Sequence, residues 1–383
     1  MLRTYGKAFH LVIIAVAVLT VLVFLIIGQA DKKPTILIVT RSQSETASLN
    51  PSRLLSAAPI ALSIYSAATG NPSGIRQQYL IYTGDESDGF AAARDYLESD
   101  NSVVALVGDY NSESTGNLAS LAAEFQLPLL SFMATDETIF QNNPWSFSYR
   151  PKVSSEIELM IRMTRQLSPL GSVVILASEQ QNLLARAEEF NSSCKQEGIE
   201  VLTYSRYQQS SYNFYEEIDQ LKPLSSDFDL IVSFLGSDQL EHLLQQLMLK
   251  DFEVTTFSTG VVIHPDLLPI LKGLDRSLFS FVPCHYLRSD KENKLARFNE
   301  MYRLKLGLHR IDTIGPSIFD GLWTLYEYVE QGKRGDSLRE AIQNHDLDRH
   351  VGRVAFDQDG LSLNDVFQPV RIEAGMFHEE DIP

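Results

Sequence analysis

Asn111, Ser112, Ser114 and Thr115 crowd into the polar turn that follows the apolar run Val103–Val107 in the segment VVALVGDYNSESTGNLASLAAEFQLPLLSF. Short polar side chains do one of two things where a strand gives way to a helix. They cap the helix by accepting from its first N–H groups, or together with those N–H groups they hold a ligand carboxylate or another anion. Ser112 or Asn111 is placed to cap here, and both readings stay open. The next apolar run ends in SFMATDETI, where Ala134 offers a backbone carbonyl and Thr135 a hydroxyl, while Asp136 is placed to cap the next helix. Arg41, after the apolar TILIVT, adds a guanidinium that either clamps a carboxylate or forms a surface ion pair. All of these groups fall at carboxyl ends of apolar runs, the edge where open parallel sheets bind ligands.

Motifs for covalent or metal chemistry are missing. No GxGxxG, GxSxG, HExxH or Walker loop occurs. Ser192 and Lys195 fit SxxK but fall in a helical stretch without the partner motifs. FDQDG (356–360) lacks the remaining ligand spacing of a calcium loop and reads as a turn between strands. His345 and His350 flank DLDR without a metal-ligand pattern. The chain is therefore read as a non-enzyme, with no catalytic residue, metal or cofactor. Its 32 Lys and Arg against 49 Asp and Glu give a net charge of −17, which repels phosphate backbones and excludes nucleic acid as a partner.

The elements that must position the polar turn follow from periodicity. TILIVT and QQYLIYTG read as strands and DGFAAARDYLES as a helix; PLLSF is the strand after the opening segment. Continuous apolar strands alternating with amphipathic helices imply a parallel sheet covered on both faces. The pattern pauses at NNPWSFSYRPKVSSE, then restarts with GSVVILAS, IEVLTYSRY, FDLIVSFLG and VTTFSTG as strands separated by helices. The fold class is α/β, with two doubly wound lobes. GPSIFDGLWTLYEYVEQG reads as a long helix, and GRVAFDQDG with FQPVRIEAGMF as a terminal hairpin.

Upstream, Leu11–Ile27 carries no charge and has the length of a bilayer-spanning helix, roughly 17–25 residues. Arg3 and Lys7 precede it, which puts the amino terminus in the cytoplasm and the rest outside. We read a retained transmembrane anchor rather than a cleaved signal, although GQA before Asp31 supplies small residues suited to cleavage. No cysteine stands near residue 28 to accept a lipid. Cys194 and Cys284, the only two cysteines, read as separate thiols, with pairing left open.

The run YTGDESDGFAAARDYLESDNSVVALVGDYNSESTGNLASLAAEFQLPLLSFMATDETI, with GRVAFDQDG and GMF near the end, resembles the type I periplasmic binding proteins, specifically the leucine/isoleucine/valine-binding (receptor ligand-binding region) family. The likeness extends over about residues 33–377. It implies a three-crossing hinge with each lobe built from separate segments. After an anchor or signal segment (1–32), lobe one would comprise 33–150 and 285–345, and lobe two 151–284 and 346–383. Tyr149–Lys152 and Phe281–Cys284 would be hinge segments.

In amino-acid-binding members the Ser-rich loop and Ala-Thr turn hold the ligand's carboxylate and ammonium. The matching positions are Ser112, with Asn111 and Ser114, and Ala134 and Thr135. Lobe two departs from the pattern. Asn182 and Leu183 stand where many members carry a Tyr-Gly pair, and Thr259–Val262 offer no charge for an ammonium group.

The function implied is an extracytoplasmic solute-binding protein that closes around a small polar ligand, amino-acid-like or another carboxylate, for an ABC-type importer. The alternative is a membrane-anchored ligand-sensing or regulatory ectodomain that contacts an envelope protein. Either way the partners are a small molecule, a permease or a membrane signalling or envelope protein, and the membrane itself through the N-terminal helix. The expected location is periplasmic, tethered to the cytoplasmic membrane, or secreted if the segment is cleaved.

Overall fold

Consecutive residues of the first apolar run serve different cores: Ile36 and Ile38 enter one, Leu37 and Val39 another. Side chains alternate across a strand, so a run apolar at every position must be covered on both faces. The structure, a computed structural model, describes residues 33–41, 53–70, 74–83, 85–108, 111–259, 278–283, 294–306, 314–349, 352–363, 367–373 and 376–380.

Alternation begins with β1 (Thr35–Arg41), α1 (Arg53–Thr69), β2 (Arg76–Tyr82), α2 (Glu86–Ser99), β3 (Val103–Val107), α3 (Ser112–Phe125), β4 (Leu129–Ser131) and β5 (Ser146–Pro151). It resumes with α4 (Val153–Leu167), β6 (Ser172–Ser178), α5 (Gln181–Gln196), β7 (Glu200–Tyr207), α6 (Tyr215–Leu221), β8 (Leu230–Phe234), α7 (Ser237–Leu249), β9 (Thr255–Ser258) and β10 (Leu278–Pro283). The last third holds α8 (Lys294–Leu306), α9 (Ile314–Glu330), α10 (Gly335–Gln343), β11 (Asp346–Arg349), β12 (Gly352–Ala355), β13 (Leu361–Ser362), β14 (Phe367–Glu373) and β15 (Met376–Glu379).

The first sheet has the order β13-β5-β4-β3-β1-β2, and its pairs are parallel. The second has the order β15-β14-β10-β9-β8-β6-β7, parallel from β7 to β10 and antiparallel at β14 and β15. Its strands repeat the two-core pattern: Val174 and Leu176 face one cluster, Val173, Ile175 and Ala177 the other. Helices α8 and α9 return to the first sheet, where Phe298, Tyr302, Phe319, Trp323 and Tyr326 bury with Ile36 and Ile38. The chain thus passes between the sheets three times: from β5 to α4, between β10 and α8, and from β13 to β14.

Two expectations need correction. GRVAFDQDG and FQPVRIEAGMF do not pair with each other. Strand β12 pairs with β11, and β14 lies between β10 and β15. The third crossing also falls later than 345/346, because Val354 and Phe356 bury in the first sheet's core and β13 pairs with β5. The reason is Gly360. Its φ of +75° and the 2.2 Å from an added Cβ to the Ser146 carbonyl oxygen admit only glycine. That close approach lets the Ser148 N–H donate to the Gly360 carbonyl at 2.8 Å, which fastens the FDQDG turn to β5.

Among the described residues no helix is long and apolar enough to cross a membrane, and the crossing read at Leu11–Ile27 lies outside them. Cys194 is a buried free thiol, its titration pushed up to about 12 by burial; Cys284 lies outside the described residues.

Candidate ligand-binding site

Gly108 ends β3 where a Cβ would stand 2.6 Å from the Val39 carbonyl oxygen and 2.7 Å from a Leu118 methyl, so α3 closes tightly on the sheet. Asn111 then caps α3. Its Oδ1 accepts from the Ser114 N–H at 2.8 Å and from the Ser114 hydroxyl at 2.8 Å. Thr115 donates its hydroxyl to the Asn111 carbonyl at 2.7 Å. Asn111 and Ser114 are therefore engaged inside the turn, and Ser114 is buried.

Ser112 does something different. Its Oγ accepts from the backbone N–H groups of Thr135 and Asp136, each at 3.1 Å, and lies 3.5 Å from Thr135 Oγ1. It ties the loop after β3 to the loop after β4. A serine oxygen that accepts two N–H groups keeps one proton to give, either to Thr135 or to a bound group. Ala134 packs its side chain into a small core with Phe140 and Leu361, while Thr135 is half-buried. Asp136 caps the short turn Glu137–Ile139, accepting from the Thr138 N–H at 3.0 Å and hydroxyl at 2.6 Å.

Arg41 ends β1 opposite Tyr82 and is half-buried. Its charge acts on Asp85, the cap of α2, whose carboxyl is held below the usual range first by the Ser87 hydroxyl and the Asp88 N–H, then by Arg41. Asn182 sits half-buried in the first turn of α5, just past β6. At the same edge of the second sheet, Ser258 ends β9 and Thr259 follows it, both buried. The structure thus joins Ser112 to Thr135 directly and keeps Asn111 and Ser114 in the cap. Arg41 lies on β1 beside β3, and Asn182 belongs to the second sheet's half.

A charged cluster at the first crossing went unread in the sequence. Glu137 Oε1 accepts from the Val153 N–H at 2.7 Å, so a residue of the first half caps helix α4 of the second. Glu156, in the first turn of α4, places Oε2 at 3.7 Å from Arg150 Nη2 and 3.6 Å from Arg186 Nη2. Burial and the Arg186 charge push the Arg150 guanidinium down to about 10, which still leaves it protonated at neutral pH. Glu189, at the rim of the cluster, has its carboxyl held above the usual range by desolvation and by repulsion from Glu137 and Glu156. Lys152 pairs with Asp357 at 2.6 Å beside them. One sign was available. Arg186 interrupts the stripe Leu183, Ala187, Phe190 and Cys194 that α5 buries, and a charge on a buried stripe must be paired.

A separate cavity of about 320 Å³ is lined by Met163, Gln166, Leu167, Phe279, Arg371 and Glu380. None of the clamp residues lines it, and Arg371 is occupied by Glu380 and Glu373. Among the described residues no group of three or more His, Cys, Asp or Glu could hold a metal ion.

Similar proteins place this arrangement. An ABC transporter substrate-binding protein from Desulfitobacterium hafniense, solved with Leu, superposes with a TM-score of 0.72 at 16% identity, covering 91% of this chain and 100% of that one. The branched-chain amino acid transporter substrate-binding protein LivJ from Streptococcus pneumoniae, solved with isoleucine, gives 0.73 at 14% identity, covering 91% and 99%. An ABC transporter solute-binding protein from Rhodopseudomonas palustris, solved with p-hydroxybenzoic acid, gives 0.72 at 18% identity, covering 91% and 95%. These three are solute-binding proteins, not enzymes, and at such identities they show the type I periplasmic binding protein fold. No curated protein sequence matches the chain. The profile of the receptor family ligand-binding region matches residues 53–256, more than half of the chain, and the protein belongs to that family.

Proposed function

We propose that this protein is an extracytoplasmic solute-binding protein that closes two lobes around a small polar solute, amino-acid-like or another carboxylate, and delivers it to an ABC-type importer. The lobes would be 33–150 with about 285–362, and 151–284 with about 367–383. Residues 1–32 would anchor the chain in the cytoplasmic membrane.

The observation that carries this reading is the Ser112 bridge. One hydroxyl fixes two loops at the carboxyl edge of a parallel sheet and retains a proton for Thr135 or for a ligand. Ser112 and Thr135 are the lobe-one contacts, with Arg41 and the Ala134 carbonyl at the same edge and Asn182 from lobe two. Asn111 and Ser114 serve by holding the turn in shape. The resemblance to proteins solved with leucine, isoleucine and p-hydroxybenzoic acid defines the solutes to screen first.

A thermal-shift screen of amino acids and aromatic acids, followed by calorimetry on wild type, Ser112→Ala and Thr135→Ala, tests the proposal. Removing a hydrogen bond to the solute should weaken binding by about 1–3 kcal/mol. Equal affinity in both variants would reduce the Ser112 loop to a structural brace.

The second reading is a membrane-anchored sensing or regulatory ectodomain that contacts a signalling or envelope protein. Asn182 at the position of the expected Tyr, and the uncharged stretch Thr259–Val262, favour it. Recovery of a permease complex from membranes supports import; recovery of a kinase or cyclase supports signalling.

A further inference from the structure

We propose that Glu137 is a positioning residue that couples the solute clamp to lobe two through the cap of α4; this rests on the reading that the lobes close on a solute. The connection is short and continuous. Ser112 Oγ holds the N–H groups of Thr135 and Asp136, and Asp136 caps the turn that begins at Glu137. Glu137 Oε1 then takes the Val153 N–H at 2.7 Å. Val153 is the first residue of α4, and Lys152 before it makes no side-chain cap of its own. A helix start leaves its first N–H groups without partners inside the helix, and a carboxylate there also meets the positive end of the helix dipole. The cap of this lobe-two helix is thus supplied from lobe one, two residues from Thr135.

The first turn of α4 passes the constraint onward. Glu156 lies 5% exposed between Arg150, on the crossing strand, and Arg186, on α5. Arg186 is itself 5% exposed, and its Nε and Nη2 make no hydrogen bond among the described residues. A guanidinium held by charge at 3.6 Å rather than by a close fork is free to tighten or slacken on Glu156 as the lobes turn. Helix α5 carries Asn182 in its first turn, so the chain of contacts runs from the lobe-one clamp to the lobe-two candidate.

The test reads lobe orientation without any solute, so it stands whether or not a ligand is found. In the full chain with Cys284→Ser, spin labels at Ser120→Cys and Lys195→Cys, exposed sites on α3 and α5, report the interlobe distance distribution by double electron–electron resonance. Cys194 is buried and stays unlabelled. Glu137→Ala should change the ratio of lobe orientations roughly five- to tenfold, the scale of a lost charged cap. Glu137→Gln keeps an acceptor but loses the charge, and should bring the distribution part of the way back to wild type. Val153→Pro removes the donor and leaves the helix intact, because proline is accepted at the first helical position and Lys152 already has the extended backbone that proline requires (φ −62°, ψ 146°). It should reproduce Glu137→Ala even where that variant folds poorly. Wild-type distance distributions in both Glu137→Ala and Val153→Pro would overturn the proposal and leave Glu137 as a local cap, and so would a Glu137→Gln distribution no nearer wild type than that of Glu137→Ala.

Discussion

Replacing Ser112 by alanine removes one oxygen and frees two donors. The sequence alone predicts little cost to folding beyond a lost helix cap. The structure moves that cap to Asn111 and gives Ser112 the N–H groups of Thr135 and Asp136, each at 3.1 Å. A neutral hydrogen bond contributes about 1 kcal/mol net. Thr135 is half-buried and its N–H recovers little from water, whereas Asp136 is exposed and its N–H rehydrates. The sum for Ser112→Ala is therefore about 1–2 kcal/mol, near or above the roughly 1 kcal/mol expected for Asn111→Ala as a cap loss. In a lobe of this size, that lowers the melting temperature by about 2–8 °C.

The two variants should differ in binding as well as in stability. Asn111→Ala loosens the start of α3, while Ser112→Ala also takes away the proton available to a solute. Melting curves with and without the best solute of the screen, paired with calorimetry, separate these losses. If Ser112→Ala melts with wild type while Asn111→Ala does not, the Ser112 contacts carry no weight and the reasoning fails.

Other expected outcomes rest on single features. Asp100, 14% exposed, is held well below the usual carboxylate range: burial acts against this, but the Ser102 N–H and hydroxyl and Arg76 prevail. A depressed folded value stabilises at pH above the unfolded value of about 4 and is lost as pH falls through the folded one. Asp100→Asn should thus cost roughly 1–3 kcal/mol at pH 7, with the gap to wild type closing in acid, as pH-dependent denaturation would show. Gly360→Ala meets the Ser146 carbonyl at 2.2 Å with φ at +75°, so it should destabilise by more than about 2 kcal/mol and lower the melting temperature measurably. The Cys194 thiol, buried and pushed up to about 12, should resist alkylation at pH 8 until denaturant is added; fast modification of the native chain at Cys194, located by mass spectrometry, would contradict its burial.

The elements of both sheets were legible because their strands are covered on both faces. Runs such as ILIV (36–39) and VVILA (173–177) are apolar at every position for that reason. Strand partners near the end were not legible. The alternation in GRVA and FQPVRIE fits a hairpin, but Gly360 draws the intervening turn onto β5 by a backbone contact that no pattern of side chains announces. In the site, the polar character of Asn111–Thr115 marked the loop, yet it did not tell which residue caps and which bridges. That division depends on the loop after β4 lying within hydrogen-bond reach of Ser112, a contact between residues more than twenty positions apart. Glu137 reads as an ordinary surface carboxylate, since its partner is a backbone N–H beyond the crossing.

This division of labour bears on how solute preference and affinity are set. A solute that requires closed lobes binds with its intrinsic affinity scaled by the fraction of molecules able to close. Ser112, Thr135 and Arg41 face the solute under the proposed reading, so changes there alter the ranking among solutes, because each presents different groups to them. Glu137, Arg150, Glu156 and Arg186 lie at the crossing and touch the lobes. Under the coupling proposed above, changes there would alter only the closed fraction, and so multiply every solute's affinity by one common factor. Under the proposed reading, Asn182 stands where the resemblance implies an aromatic lid, and the lobe-two edge would give less direct contact to hold the lobes shut. More of the closing free energy would then come from the crossing itself. A pair of guanidiniums sharing one buried carboxylate, with further carboxylates at the rim, can supply it, because in a poorly solvated setting small changes in separation carry large changes in energy.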